Sequence, residues 1–103
     1  MNKLQAKLLQ AYDSNISPET LSVLATDEDW MIRYCVASNP NTSSETLQVL
    51  ATDKNATVRY WVPKNPNTLP ETLQVLATDK DWGVRYWVAR NPNATELTRR
   101  LVL

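Results

Sequence analysis

Asp27/Asp29 and Asp79/Asp81 are carboxylate pairs at a spacing of two, a residue type and pattern that could share a proton or ligate a cation. Cys35 is the one thiol and Gly83 the one glycine, and there is no histidine. The usual proton shuttle at neutral pH and the usual nitrogen ligand for metals are therefore both missing. One cysteine does not supply the clustered ligands of a zinc or iron–sulfur site, and one glycine does not build a phosphate-cradling loop. Asn55 replaces one member of the carboxylate pair between the two copies, and the setting of all three suits a turn between helices. Catalysis needs a nucleophile, base or metal held in a pocket. The chain reads as non-enzymatic, with no catalytic residues, no metal and no cofactor.

The chemistry of recognition is better represented. Trp30, Tyr34, Tyr60, Trp82, Tyr86 and Arg90 are of the residue types that dominate binding energy at protein surfaces, and with Lys64 they recur at regular intervals. What positions them is a repeat. Glu19, Glu45 and Glu71 stand 26 residues apart, each followed by Thr-Leu. Arg33, Arg59 and Arg85 keep the interval, each followed by Tyr, as do Asn39-Pro40, Asn65-Pro66 and Asn91-Pro92. Segments 41–66 and 67–92 share 19 of 26 residues. Such a period implies a stacked array, because a single unit cannot cover its own apolar face.

Each unit reads as two short helices. The first starts at Pro18, Ser44 or Pro70 and runs to about Thr26 or its equivalent. Pro is tolerated in a first helical turn. Thr42…Glu45, Thr68…Glu71 and Asn93…Glu96 have capping-box spacing, while Ser17 is the candidate cap in the first unit. Leu21, Leu24 and Ala25, with their equivalents Leu47, Leu50, Ala51 and Leu73, Leu76, Ala77, form one buried stripe. The second helix opens after Asp29, Asn55 or Asp81 and buries Ile32/Val36, Val58/Val62 or Val84/Val88 at i, i+4. It closes at Asn-Pro, where Asn would take a left-handed backbone. Pro63 stands where the sister units have Ala37 and Ala89, which predicts a middle copy that is short or partly 3₁₀.

The expected fold is all-α: a short right-handed α-solenoid of three 26-residue two-helix repeats at 15–40, 41–66 and 67–92. Residues 1–14 form an N-terminal capping helix and 93–103 a C-terminal capping half-repeat. Lys7 falls at the Arg33 position and Tyr12 at the Ser38 position, so the N-terminal cap has the character of a second helix. Leu101-Val102-Leu103 is apolar for an outward-facing cap, which leaves it to tuck under the last layer or to meet another chain.

The unit Asn-Pro-Asn-Thr-x-x-Glu-Thr-Leu-x-x-Leu-Ala-x-Asp, closed by Val-Arg-x-x-Val-Ala, resembles the leucine-rich repeat variant family over about residues 15–95. That resemblance implies a right-handed superhelix of alternating α and 3₁₀ helices without strands, and a role as a scaffold for protein contacts. The segment from Asp27 to Arg33 is similar to the inter-helix turn of HEAT repeats, which implies an Asp–Arg ladder between units. The cysteine clusters that accompany some such arrays are absent here, and no cofactor carries over.

With Ile32 and Val36 facing inward, Tyr34 points almost opposite, flanked by Trp30 and Ser38. Stacked units would line up Trp30, Tyr34, Tyr60, Lys64, Trp82, Tyr86 and Arg90 as a band on the second helices. A band of this kind marks a contact surface. The alternative is that the tyrosines stack on one another and only brace the array. Trp61, Trp87 and Cys35 share one position and read as core or inter-repeat packing. Arg33, Arg59 and Arg85 read as a ladder to Asp27, Asp53 and Asp79 or to turn carbonyls, or else as a grip for a carboxylate or phosphate partner.

The expected function is thus a protein-interaction scaffold with a protein or peptide partner. Single-stranded nucleic acid on the same band is disfavoured by eleven basic residues against eleven acidic ones. Self-assembly through the apolar C-terminal end is the third reading. No apolar run is long enough for a membrane span, nothing at the start reads as a signal peptide, and one cysteine gives no disulfide framework, so a cytoplasmic location is expected.

Overall fold

The computed structural model describes residues 1–102. Among them are eight α-helices and no strand: α1 (Lys3–Tyr12), α2 (Pro18–Leu24), α3 (Trp30–Ser38), α4 (Ser44–Leu50), α5 (Ala56–Trp61), α6 (Pro70–Leu76), α7 (Trp82–Arg90) and α8 (Glu96–Leu101). None is long and apolar enough to cross a membrane. The odd-numbered helices α1, α3, α5 and α7 lie in series, each packed on the next, with extents of 46 × 23 × 16 Å for the whole chain. α2 and α4 pack on α3, and α6 and α8 on α7. The core runs between the two sets. Leu21, Ile32, Val36, Leu47, Val58, Val62, Leu73, Val84 and Val88 are all fully buried. These are the positions that the 3.6-residue pattern assigns to the inner face.

The starts of α3, α5 and α7 follow the sequence. Asp29, Asn55 and Asp81 each accept from a backbone N–H two residues on, of Met31, Thr57 and Gly83, at 2.8–2.9 Å. The first-helix cap is Ser17 in the first unit, as expected, and differs from expectation in the later ones. Ser17, Ser43 and Thr95 accept from the N–H of Thr20, Thr46 and Thr98. The cap at Ser43 therefore sits one residue later than the capping-box spacing at Thr42 proposed, and the cap at Thr95 two residues later than Asn93. The reason is that Thr42 and Thr68 are fully buried, with hydroxyls that donate to the carbonyls of Val36 and Val62 at 2.6 Å. Leu69, at the cap of α6, makes no side-chain bond, and Pro70 opens that helix without an N–H to satisfy.

The helix ends correct two further expectations. Asn39 and Asn91 are extended, at φ −77° and −78°, and no residue has a left-handed backbone among those described. Extension aims their side chains back at the preceding layer. α3 and α7 are α-helical over 9 residues each, so 3₁₀ character is confined to closing bonds such as Asn39 N–H to Val36 and Asn91 N–H to Val88. α5 is shorter than its counterparts α3 and α7, at 6 residues, because Pro63 has no N–H to offer the Arg59 carbonyl. That carbonyl accepts from Val62 at 3.2 Å instead.

Two polar rows tie successive 26-residue segments together. In the first, the Asn39 amide donates to the carbonyls of Ala11 and Asp13, Asn65 to Ala37 and Asn39, and Asn91 to Pro63 and Asn65. Asn67 and Asn93 repeat the motif beside it, each donating to two carbonyls of the segment before. Asn39, Asn65 and Asn91 are only 3–4% exposed, so these bonds satisfy backbone groups that water cannot reach. The second row is ionic. Lys7 pairs with Asp27 at 2.7 Å, Arg33 with Asp53 at 2.6 Å and Arg59 with Asp79 at 2.8 Å. Each cation thus reaches forward to the carboxylate of the next segment's aspartate, while Arg33 and Arg59 meet their own segment's aspartate only at its backbone carbonyl.

Candidate interaction surface

The carboxylate pairs are used up by this framework. Asp27 accepts from Lys7 and from the N–H of Asp29, and Asp79 accepts from Arg59 and from the N–H of Asp81. Asp29 and Asp81 cap helices. Lys7 holds Asp27 below the usual carboxylate range, and Asp27 in turn raises Lys7. Cys35 is 1% exposed, and burial pushes its thiol up, away from the reactive thiolate. No group of three or more His, Cys, Asp or Glu could hold a metal among the described residues.

Aromatic side chains form the other continuous feature. The sequence has four tryptophans and four tyrosines, and all eight belong to one row. Ring centroids run from Trp30 to Tyr34 at 6.1 Å, Tyr34 to Trp61 at 5.8 Å and Trp61 to Tyr60 at 6.0 Å. The row continues from Tyr60 to Trp87 at 6.4 Å, Trp87 to Tyr86 at 5.3 Å and Tyr86 to Trp82 at 6.3 Å. Tyr12 joins through a hydroxyl contact with Tyr34 at 3.1 Å, a bond that, with Cys35 nearby, raises the Tyr12 phenol well above its usual value. All six ring pairs are tilted or edge-to-face, away from the face-to-face sandwich that aromatic quadrupoles disfavour. Lys64 lies over three of the rings, 4.1 Å from the Trp61 centroid, 4.5 Å from Trp87 and 5.1 Å from Tyr60. Arg90 covers Tyr86 at 5.2 Å. Such stacking of a cation on a ring is attractive by about 0.5–2 kcal/mol.

The seven residues singled out from the sequence all lie on this row, but they are not equally open. Tyr34, Tyr60 and Lys64 are half-buried, because Trp61 and Trp87 of the following segments lie against them. The Trp87 indole also donates to the Tyr60 hydroxyl. Trp30 is 41% exposed, Tyr86 45% and Trp82 71%, and Arg90 is exposed. The middle of the row is therefore braced, and its α7 end is open. There Trp82, Tyr86 and Arg90 converge with Arg85, Ala89 and Val102 on a cleft of about 410 Å³. The sequence pattern groups Arg85 with Arg33 and Arg59 and not with the band. A second apolar hollow, on α1, is lined by Met1, Gln5, Leu8, Leu9 and Tyr12. At the C-terminal end Leu97 and Leu101 are exposed while Val102 packs on the core, and Leu103 lies outside the described residues.

What the open end offers is flat aromatic area, apolar side chains and fixed positive charge. Those are groups suited to recognition. Comparison with protein families, with curated proteins and with solved structures found no match for this chain.

Proposed function

We propose that this chain is a short right-handed α-solenoid of the leucine-rich repeat variant or HEAT-like kind, and that it serves as a non-enzymatic scaffold for a protein or peptide partner. The solenoid reading draws support from hydrogen bonds and ion pairs that recur between segments 26 residues apart. The functional reading rests on one observation above all. Trp82, the most exposed of the row's indole and phenol rings at 71%, stands beside Tyr86 and Arg90 around one cleft. Large exposed aromatic side chains next to arginine are the usual anchors of protein interfaces.

The test is capture from the native source by the wild type and by a Trp82→Ala/Tyr86→Ala double variant, followed by titration of the purified captured protein. Both residues are exposed, so folding is expected to survive. Loss of capture with an unchanged urea midpoint supports the scaffold. Equal capture by both forms sinks it, and binding of random-sequence RNA that falls steeply with salt would assign the surface to nucleic acid instead.

A further inference from the structure

Among the described residues, the ionic row ends with a guanidinium that no carboxylate meets. Arg33 donates from Nη1 to the carbonyl of Asp27 at 2.8 Å, and from Nε and Nη2 to the two Asp53 oxygens at 2.6 and 3.2 Å. Arg59 repeats this with the carbonyl of Asp53 at 2.8 Å and the Asp79 oxygens at 2.8 and 3.3 Å. Arg85 keeps the first half only. Its Nη1 donates to the Asp79 carbonyl at 2.6 Å, and no carboxylate among the described residues pairs with its Nε or Nη2. Arg33 and Arg59 are buried, whereas Arg85 is half-open and lines the cleft with Trp82, Tyr86 and Arg90.

We propose that Arg85 is a preformed receptor for an aspartate side chain carried by a peptide segment of the partner. This deepens the scaffold reading and rests on it. The occupant is specified by the two filled copies of the same site. In both, a planar fork takes a carboxylate on two nitrogens, while the backbone carbonyl on the third holds the guanidinium in place. In both, the bound aspartate also accepts the N–H two residues on, Asn55 after Asp53 and Asp81 after Asp79, at 2.9 Å. The ligand is thus an aspartate at the head of a tight turn, of the form Asp-x-Asp or Asp-x-Asn. The charge of the cleft matches: among the described residues its lining includes Arg85 and Arg90 and no acidic side chain. Trp82, Tyr86 and Val102 offer apolar contact to the residues on either side of the aspartate.

The experiment uses the full chain and the Nε–H resonance of Arg85 in a nitrogen–proton correlation spectrum. The probe is a capped synthetic peptide with the sequence of residues 76–82, Leu-Ala-Thr-Asp-Lys-Asp-Trp, whose fourth residue is the aspartate that Arg59 holds within the chain. A saturable shift of the Arg85 resonance is expected, weakened about tenfold or more when that aspartate is replaced by asparagine. Arg85→Gln should remove binding while leaving the urea midpoint nearly unchanged, and Arg85→Lys should restore it only in part. Equal binding of the asparagine peptide, or an equal shift with inorganic phosphate, overturns the proposal. Dimerisation abolished by Arg85→Gln without peptide also overturns it, in favour of a second copy. Failure here, with capture still lost in the Trp82→Ala/Tyr86→Ala variant, removes the aspartate site alone. Equal capture by that variant removes the scaffold reading and leaves the Arg85 titration to be judged on its own.

Discussion

Trp87 donates its indole N–H to the hydroxyl oxygen of Tyr60 at 2.9 Å, across 27 residues of sequence. The bond turns Tyr60 from an exposed anchor into a brace between α5 and α7. Tyr60→Phe should therefore lower stability by about 1 kcal/mol, since it leaves a half-buried indole donor without its partner. Tyr86 makes no such bond to a described residue and is 45% exposed, so Tyr86→Phe should fall within about 0.5 kcal/mol of wild type. Urea unfolding of the two variants separates framework from surface, and equal costs would mean that the hydroxyl contact carries no weight.

The ionic row should be strong where it is shielded. Arg59 and Asp79 side chains are 8% and 9% exposed, against 71% and 81% for Arg100 and Glu96. Arg59→Ala strands a shielded carboxylate and should cost about 3 kcal/mol. Arg100→Ala removes a solvated pair one helical turn apart and should cost less than about 0.5 kcal/mol. Chemical denaturation of both measures the contrast; a loss of similar size in the two would show that shielding adds nothing to the inner pair.

Asn65 gives the sharpest contrast between isosteric side chains. Its amide donates to the carbonyls of Ala37 and Asn39 at 2.9 and 3.0 Å while its oxygen accepts from the N–H of Asn67. Asp has the same shape but no donor, and would set a carboxylate against two carbonyl oxygens at a position 3% exposed. Asn65→Asp should cost more than about 3 kcal/mol, and more than Asn65→Ala. Thermal melting at neutral pH orders the three proteins. An aspartate variant as stable as the alanine one would show that the amide is not needed as a donor.

These positions also show what the sequence reveals and what it hides. The buried stripe through Leu47, Val58 and their equivalents follows from periodicity alone, because side-chain direction repeats with the helix. The short α5 follows from Pro63, a local rule of backbone chemistry. The cap at Ser43 was missed because Thr42 and Ser43 are equally good caps locally, and only tertiary burial assigns Thr42 to Val36. Tyr34 and Tyr60 were expected to face outward, and within their own helices they do. A rotation angle does not say what the next helix lays across them, here Trp61 and Trp87. Arg85 is hidden for a related reason: it repeats Arg33 and Arg59 in sequence, and differs only in what fails to reach it.

Lys7 and Asp27 should give stability a defined pH window. The bond from Lys7 lowers the Asp27 carboxyl below its ordinary 3.8, so the folded state binds that proton less readily than the unfolded chain. Its contribution is complete above that ordinary value and is lost as pH falls through the lower folded value. Lys7 is shifted the other way, above 10.5, so its contribution is complete below 10.5 and is lost as pH rises through the folded value. Between the two limits the pair contributes a constant amount. Lys7→Met removes the partner from both titrations. The gap in urea midpoint between wild type and Lys7→Met should be steady from about pH 5 to pH 9 and should narrow toward pH 2. A gap that stays constant into acid would mean that Asp27 titrates alike in the folded and unfolded chain, and that the 2.7 Å contact does not hold its charge.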